Sequence, residues 1–504
     1  MPMNEERKQI KSVAIIGAGA AGAVTTAAFK AENYFDRIRV FERRETPGGT
    51  WIYDPDPTPE LSIHPGSLPL EIDPPLEIPA ELPKITAPNA QERFSKTPIY
   101  DSLTTNVPDI AMCFSDSRFP YGPFVPHHVP RQYIENYFSS HQLDQLLVLS
   151  TTVEDVSKTP PLSPDDAEQW KLTLRKYDHA RRADVWWEDI FDAVPQVKGL
   201  KAYIDKFPGR VVHSKYYRSP ISHSSKKVVV IGNSASGRDV AAELVSTAHL
   251  PVYQSRRSKS KWDGDEPPPG IAWKSVIKEF QLDGRIIFED GTYLDDIDTV
   301  IYCTGYLASF PFWNAKNNGR ALWDYKRNKA IKGYWHTFFQ DFPTFAIVGL
   351  PRVLTFRSFE YQAIAIARLF SGRNTAPLPP LTEMERWEKE RERETQRRRK
   401  KFHDVEWETG ETMDWLEGLF RIAGLGTLSG DGRLPPTLGK DVIWAINHIK
   451  KYPEPGSEKH KVSRWEERRE APPAYDKVTR NESEWVMVDL PETREREKDL
   501  LAFI

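Results

Sequence analysis

The residues of this 504-residue chain best suited to chemistry are glycines, spaced to hold a diphosphate against backbone amides. Gly17-Ala-Gly19-Ala-Ala-Gly22 follows the apolar run of residues 13–16 and leads into an alanine-rich helical pattern. Gly17 permits the tight turn, Gly19 lets the backbone approach a pyrophosphate, and Gly22 lets a helix pack closely on a strand. The start of that helix offers unpaired N–H groups and a partial positive charge to phosphates. The next strand pattern, RIRVFERR, carries Glu42 near its tip. Its carboxylate suits ribose hydroxyls and repels a 2′-phosphate, which points to FAD or NAD. The turn beyond it, Gly48-Gly49-Thr50-Trp51, supplies two further glycines whose amides can face a flavin.

Gly232-Asn-Ser234-Ala-Ser-Gly237 repeats the design after apolar residues 228–231, with Ser replacing the middle glycine. Ser is still small enough for a phosphate to approach. The strand pattern that follows, LPVYQS, ends in Arg256-Arg257 and has no acid at its tip. A planar guanidinium matches a phosphate, so this second loop is expected to bind NADP(H). One acid-tipped and one arginine-tipped loop in one chain predict a flavoprotein supplied with electrons by NADPH. DTVIYCTGY, containing Thr304 and Gly305, suits the strand that closes a nucleotide sheet and returns the chain toward the flavin. FPTFAIVGL and the helical pattern FEYQAIAIARLF then suit a strand-to-helix edge beside the flavin ring.

The remaining composition mostly excludes. A net charge of -3 gives no electrostatic case for nucleic acid. Two cysteines, Cys113 and Cys303, cannot build a disulfide framework, a Cys-x-x-Cys redox pair or a Cys-rich zinc site. No metal site and no Ser/His/Asp set is evident. The polar N-terminus lacks a signal core, and the longest apolar run is too short to span a bilayer. The expectation is a cytoplasmic protein without a transmembrane segment, with peripheral membrane contact left open.

In order along the chain stand GAGAAG, GGTW, SLTTNVP around Asn106, FPGRVVHSKYY, GNSASG and CTGY. This series resembles the flavin-containing monooxygenases, the class B flavoprotein monooxygenases, in a fungal-type member, over about residues 11–372. The family's fingerprint, Phe-x-Gly-x-x-x-His-x-x-x-Tyr, falls on Phe207, Gly209, His213 and Tyr217, at the passage between the FAD and NADPH domains. The resemblance implies an NADPH- and FAD-dependent enzyme that forms a C4a-hydroperoxyflavin from O2. One oxygen atom then passes to a soft nucleophile, N or S, of a small molecule. Asn106 matches the family's active-site Asn, with Thr105 beside it. FAD is expected at Gly17, Gly19, Gly22, Glu42, Gly49, Thr50 and Trp51 and NADPH at Gly232, Ser234, Gly237, Arg256 and Arg257, with Thr105, Asn106, Thr304 and Gly305 as further cofactor-binding residues. His213 is expected to couple domains and to do no acid–base work.

The fold expected is α/β, with two Rossmann-like domains and a helical, charged C-terminal extension. Residues 10–200 would begin the FAD domain, with a Pro-rich insertion at 54–96 read as an irregular surface segment. Residues 205–300 would bind NADPH, 301–375 would return to the FAD domain, and 376–504 would form the extension. Within that extension, EMERWEKERERETQRRRKKF reads as a solvated helix and all residues past Gly372 as lineage-specific. A homo-oligomer is permitted but not specified. Two alternatives stand beside the main reading. A Baeyer–Villiger-type monooxygenase ranks lower because Tyr217-Arg218 replace that group's Trp ending. A catalytically impaired flavoprotein is suggested by FDAV, residues 191–194, which starts a strand whose expected apolar and glycine continuation is missing.

Overall fold

The computed structural model describes residues 9–55, 76–89, 97–159, 169–196, 211–260, 262–281, 284–305, 308, 310–351, 353–373, 375–424 and 431–452. Two sheets carry the two glycine loops. In the first, Ser12–Ile16 lies between Arg37–Phe41 and Val194–Gln196, and all three run parallel. Leu147–Val148 extends one side, and Phe345–Ile347 with the short strands Phe338–Phe339 and Gly333–Tyr334 extends the other. Val13, Ala14 and Ile15 are fully buried, as the apolar run requires of a strand covered on both faces. The helix Ala20–Ala31 packs on Phe356–Ser371, and both are buried almost all round. Their alanine-rich sequences allow the two axes to come close without leaving voids.

The strand Val194–Gln196 bears on the reading of an interrupted repeat. It is three residues long, yet it pairs with Phe345–Ile347 on one side and meets Ser12–Ile16 on the other. Asp192 secures its approach, accepting from the backbone N–H groups of Lys11 and Ser12 at 2.9 and 2.7 Å. The central position of the sheet is therefore occupied. Residues 197–210, including Phe207 and Gly209 of the fingerprint, lie outside the described residues.

The second sheet is parallel throughout, in the order Ile271–Lys274, His249–Ser255, Lys227–Ile231, Thr299–Tyr302, Val211–His213. A separate four-stranded antiparallel sheet of Lys84–Thr86, Ala183–Phe191, Gln169–Asp178 and Thr151–Thr159 packs on the first, Val153, Trp170, Leu172 and Phe191 sharing a core with Ala14 and Phe41. Part of the Pro-rich insertion thus has a structural place, because Lys84–Thr86 forms the edge of this sheet. The charged helix Leu381–Arg397 also differs from a fully solvated one. Its outer face carries the expected pairs, such as Arg398 with Glu394 at 2.5 Å. Its inner face receives the buried ammonium of Lys329, 3.1 Å from both Glu388 and Glu392. A buried lysine must be paired, so the helix is held against the body.

A methyl group on Gly22 would lie 1.9 Å from the Gly17 carbonyl oxygen, and one on Gly237 2.2 Å from that of Gly232. Backbone fills both places and cannot give way cheaply. Gly22→Ala should therefore destabilise the folded chain by about 2–3 kcal/mol in urea unfolding. An unchanged midpoint and slope would show that the helix can move off the strand.

Candidate functional site

The first cradle is made of two facing glycine turns. Gly17 has φ 99° and donates to the Phe41 carbonyl at 2.8 Å, so the loop turns at the strand tip. Gly48 donates to the Ala18 carbonyl at 3.0 Å and brings the Gly49–Trp51 turn against the loop. A Cβ on Gly49 would lie 2.8 Å from the Gly19 Cα. No side chain caps the helix Ala20–Ala31, which leaves its first N–H groups to an incoming anion. Glu42 is buried at the strand tip, accepting from the Ala18 N–H at 2.7 Å and the Arg44 N–H at 2.9 Å. Thr50 is exposed, and the Trp51 ring meets Phe356 edge-on at 6.3 Å. The N-terminus of the helix Phe356–Ser371 thus adjoins the same cradle.

At that N-terminus stands Thr355, which sequence reasoning passed over. Its φ of 40° and ψ of -107° are strained for a β-branched residue, and its buried hydroxyl has no hydrogen-bond partner among the described residues. Strain together with an orphaned hydroxyl makes Thr355 a candidate functional position. A Thr before an apolar helix reads in sequence as an ordinary cap, and the observed hydroxyl does not cap. A cradle that added Cβ atoms would fill, two uncapped helix starts and the orphaned Thr355 hydroxyl fit FAD.

The second cradle repeats the first with different tips. Gly232 has φ 110° and donates to Ser255 at 2.9 Å, and Ser234 precedes the helix Ala235–Leu244 without capping it. Thr304 and Gly305 are exposed and follow Cys303, whose carbonyl oxygen would lie 2.6 Å from a Cβ on Gly232. They therefore stand beside this second loop. The two arginines separate in role. Arg256 lies 3.4 Å from the Trp273 ring centroid and pairs with Asp263 at 3.0 Å. Asp263 also accepts from Asn233 and from the Ser260 N–H, which knits the loop together. Arg257 is exposed and has no ion pair among the described residues.

Between the cradles runs the segment 100–113. Thr105 is buried, its N–H donating to Val125 at 2.9 Å and its hydroxyl accepting the Val125 N–H at 3.0 Å. Asn106 follows on an exposed bend, and its carboxamide makes no hydrogen bond among the described residues. On one side, Tyr100 donates to Asp239 of the second cradle's helix at 2.7 Å. On the other, Cys113 accepts from Arg357 in the first turn of Phe356–Ser371 at 2.9 Å. The fingerprint residues serve the same junction. Tyr217 donates to Glu243 at 2.8 Å and meets the Tyr100 ring at 5.8 Å. His213 bonds to the Gly305 backbone and accepts from the Lys215 N–H at 3.1 Å. Arg218, buried, bonds the carbonyls of Asp54, Thr97 and Lys215.

A family model described as flavin-binding monooxygenase-like matches residues 87–262 and 269–425, and one for an NAD(P)-binding Rossmann-like domain matches 15–65. The chain belongs to the flavin-containing monooxygenase family. FAD and NADPH are its cofactors. The flavin-containing monooxygenase FMO GS-OX5 of Arabidopsis thaliana is 31% identical over 390 residues, 73% of this chain and 75% of that one. The structure of S-allyl-L-cysteine S-oxygenase from Allium sativum superposes with a TM-score of 0.63 at 26% identity, covering 81% of this chain and 88% of that one. An ε-caprolactone-bound cyclohexanone monooxygenase shares the fold alone, with a TM-score of 0.50 at 14% identity over 76% of this chain and 92% of its own. The family match runs to residue 425, so the stretch just past Gly372 is not peculiar to this chain. Among the described residues no helix is long and apolar enough to cross a membrane, and no cluster has the makings of a metal site.

In this monooxygenase Arg257→Ala should raise the Michaelis constant for NADPH about tenfold and leave that for NADH unchanged. Arg256→Ala should disturb both, because it also releases Asp263. Equal effects of Arg257→Ala on the two nucleotides would remove the 2′-phosphate contact. His213 gives a pH dependence. Burial, against the opposing bond to Gly305 and with help from Lys215, pushes its pKa down to about 4 from 6.5. The unfolded chain then binds the extra proton between those values, so stability falls as pH drops from about 6.5 toward 4. Urea unfolding across this window should show a flatter profile for His213→Gln, by about 1–3 kcal/mol between its ends. A profile as steep as the parent's would place the sensitivity elsewhere.

Proposed function

We propose that the chain transfers one oxygen atom from O2 to a soft nucleophile of a small molecule, a thioether sulfur before an amine nitrogen. The reaction balances as NADPH, a proton, O2 and the sulfide giving NADP+, water and the sulfoxide. The observation that carries the reading is the segment 100–113. It is anchored at one end to the second cradle's helix and at the other to the first cradle's flank, with the Asn106 carboxamide unpartnered between them. The preference for sulfur is supported by the likeness to the garlic S-oxygenase.

Bound FAD, reduced by NADPH, supplies the activation of O2 that no side chain provides. The protein's own tasks are to bind, to orient and to exclude water. Facing glycine turns hold the diphosphate of FAD, Glu42 its ribose, and the Thr355 hydroxyl and helix start the ring. Arg257 selects the 2′-phosphate of NADPH. Asn106 offers a carboxamide that donates and accepts at once, which suits the junction of flavin and nicotinamide. Thr105, bonded twice to Val125, keeps that carboxamide from collapsing inward.

The test is turnover of S-allyl-L-cysteine, methyl phenyl sulfide and N,N-dimethylaniline, with NADPH consumption, peroxide and product measured together. Sulfides should show kcat/KM at least about tenfold above the amine, with little peroxide. Asn106→Ala should keep consuming NADPH while product per NADPH drops about tenfold and peroxide takes its place. Unchanged coupling in Asn106→Ala would remove its role. No NADPH oxidation by FAD-loaded protein would favour the impaired flavoprotein instead.

A further inference from the structure

Beyond the family match, residues 431–452 cross the body as a strap, from the far end of the first cradle's helix to the helix of the second cradle. Gly432 donates to the Ala31 carbonyl at 2.8 Å, where the helix Ala20–Ala31 ends. Arg433 pairs with the buried Glu360 at 2.7 Å and with Asp116 at 2.8 Å. The helix Lys440–His448 buries Val442, Ala445 and Ile446 and packs on Asp109–Met112, directly after the Asn106 bend. The strap then delivers two residues to one carboxylate. Lys451 donates to Asp239 at 3.0 Å and to the Thr104 carbonyl at 3.2 Å. Tyr452 donates to Asp239 at 2.7 Å, and its ring meets Trp262 at 5.4 Å beside Asp263 of the arginine loop.

We propose that Lys451 is a positioning residue for oxygen transfer, fixing the Asn106 bend to the helix that starts the NADPH cradle. The ammonium is nearly buried, with 8% of its side chain exposed, and its two bonds join the strap at once to the Thr104 backbone and to the Asp239 carboxylate. Thr104 stands two residues before Asn106, and Asp239 lies in the second turn of the helix that Ser234 precedes. One charged group thus sets the distance between the free carboxamide and the nucleotide phosphates. A charge-assisted bond inside a partly dry interface is strong and directional, so its loss loosens the bend and leaves the fold standing. This inference rests on the proposed function for its catalytic consequence, whereas the tether itself does not.

The experiment compares the full FAD-loaded chain with Lys451→Met and Lys451→Arg. Amide hydrogen exchange at residues 103–106 should quicken at least about fivefold in Lys451→Met, while the strand Ser12–Ile16 keeps its protection. With methyl phenyl sulfide, sulfoxide per NADPH should fall about fivefold and peroxide rise, at unchanged FAD content. Lys451→Arg should restore most of both. Asp239→Asn, which also weakens the bonds from Tyr100 and Tyr452, should quicken exchange at least as much as Lys451→Met, and the double variant should fall short of the sum of the two, as expected of a contact they share. Unchanged exchange overturns the tether, and faster exchange with unchanged coupling overturns the positioning role. If the parent makes no sulfoxide, the proposed function fails, and the exchange comparison alone then decides the tether.

Discussion

Asp239 and Glu243 sit one turn apart on the helix Ala235–Leu244, and the relation between the two nucleotide cradles hangs on what reaches them. Asp239 accepts from Tyr100, Lys451 and Tyr452, and Glu243 from Ser102 and Tyr217. The donors come from three separate stretches of chain, the Asn106 segment, the fingerprint and the C-terminal strap. Burial raises the pKa of Glu243, and its two hydroxyl donors oppose that rise. Removing donors from such a carboxylate leaves a desolvated charge, which costs more than the bond itself contributed. The pair is therefore a point where the chain tolerates little change.

The cradles themselves need no such long-range help. Each is a steric solution in which the last glycine meets the carbonyl of the first and the helix starts uncapped. That solution repeats at Gly17 to Gly22 and at Gly232 to Gly237 because backbone geometry leaves few others. Difference enters at the strand tips. Glu42 turns inward and accepts the Ala18 N–H, which fixes the shape of the loop. Arg256 turns onto Trp273 and Asp263, whereas Arg257 stands exposed with no ion pair among the described residues.

This contrast explains how much was legible in the sequence. Glycine loops, apolar strands and the acid or arginine at a tip are set by neighbours within about thirty residues, so spacing alone exposes them. The α/β architecture and both cradles follow from that spacing. Arg256 and Arg257 could not be told apart, because Asp263 becomes a partner only once the loop has folded back. Thr355 could not be seen, since an orphaned hydroxyl has no sequence signal. The charged helix showed its Glu–Arg pairs and hid the buried Lys329 that docks it. The strap was invisible for the same reason, its partners at Thr104 and Asp239 standing more than two hundred residues away.

Polar bonds are an unusual choice for holding two domains, and the chemistry supplies a reason. Apolar surfaces tolerate sliding, because their attraction depends on area and little on direction. Hydrogen bonds to a carboxylate weaken steeply once the donor angle or distance drifts. Keeping the Asn106 carboxamide at one distance from both cradles needs direction more than bulk adhesion. Tyr100 and Leu103 do contribute apolar contact to the second domain, beside Tyr217 and Val240. Within that contact, the tyrosine hydroxyls and the Lys451 ammonium select one arrangement from the many that area alone would accept. The helix that Ser234 precedes and the bend that carries Asn106 are thereby fixed to the same pair of carboxylates, so the distance between them is set once and not by the sum of two separate contacts.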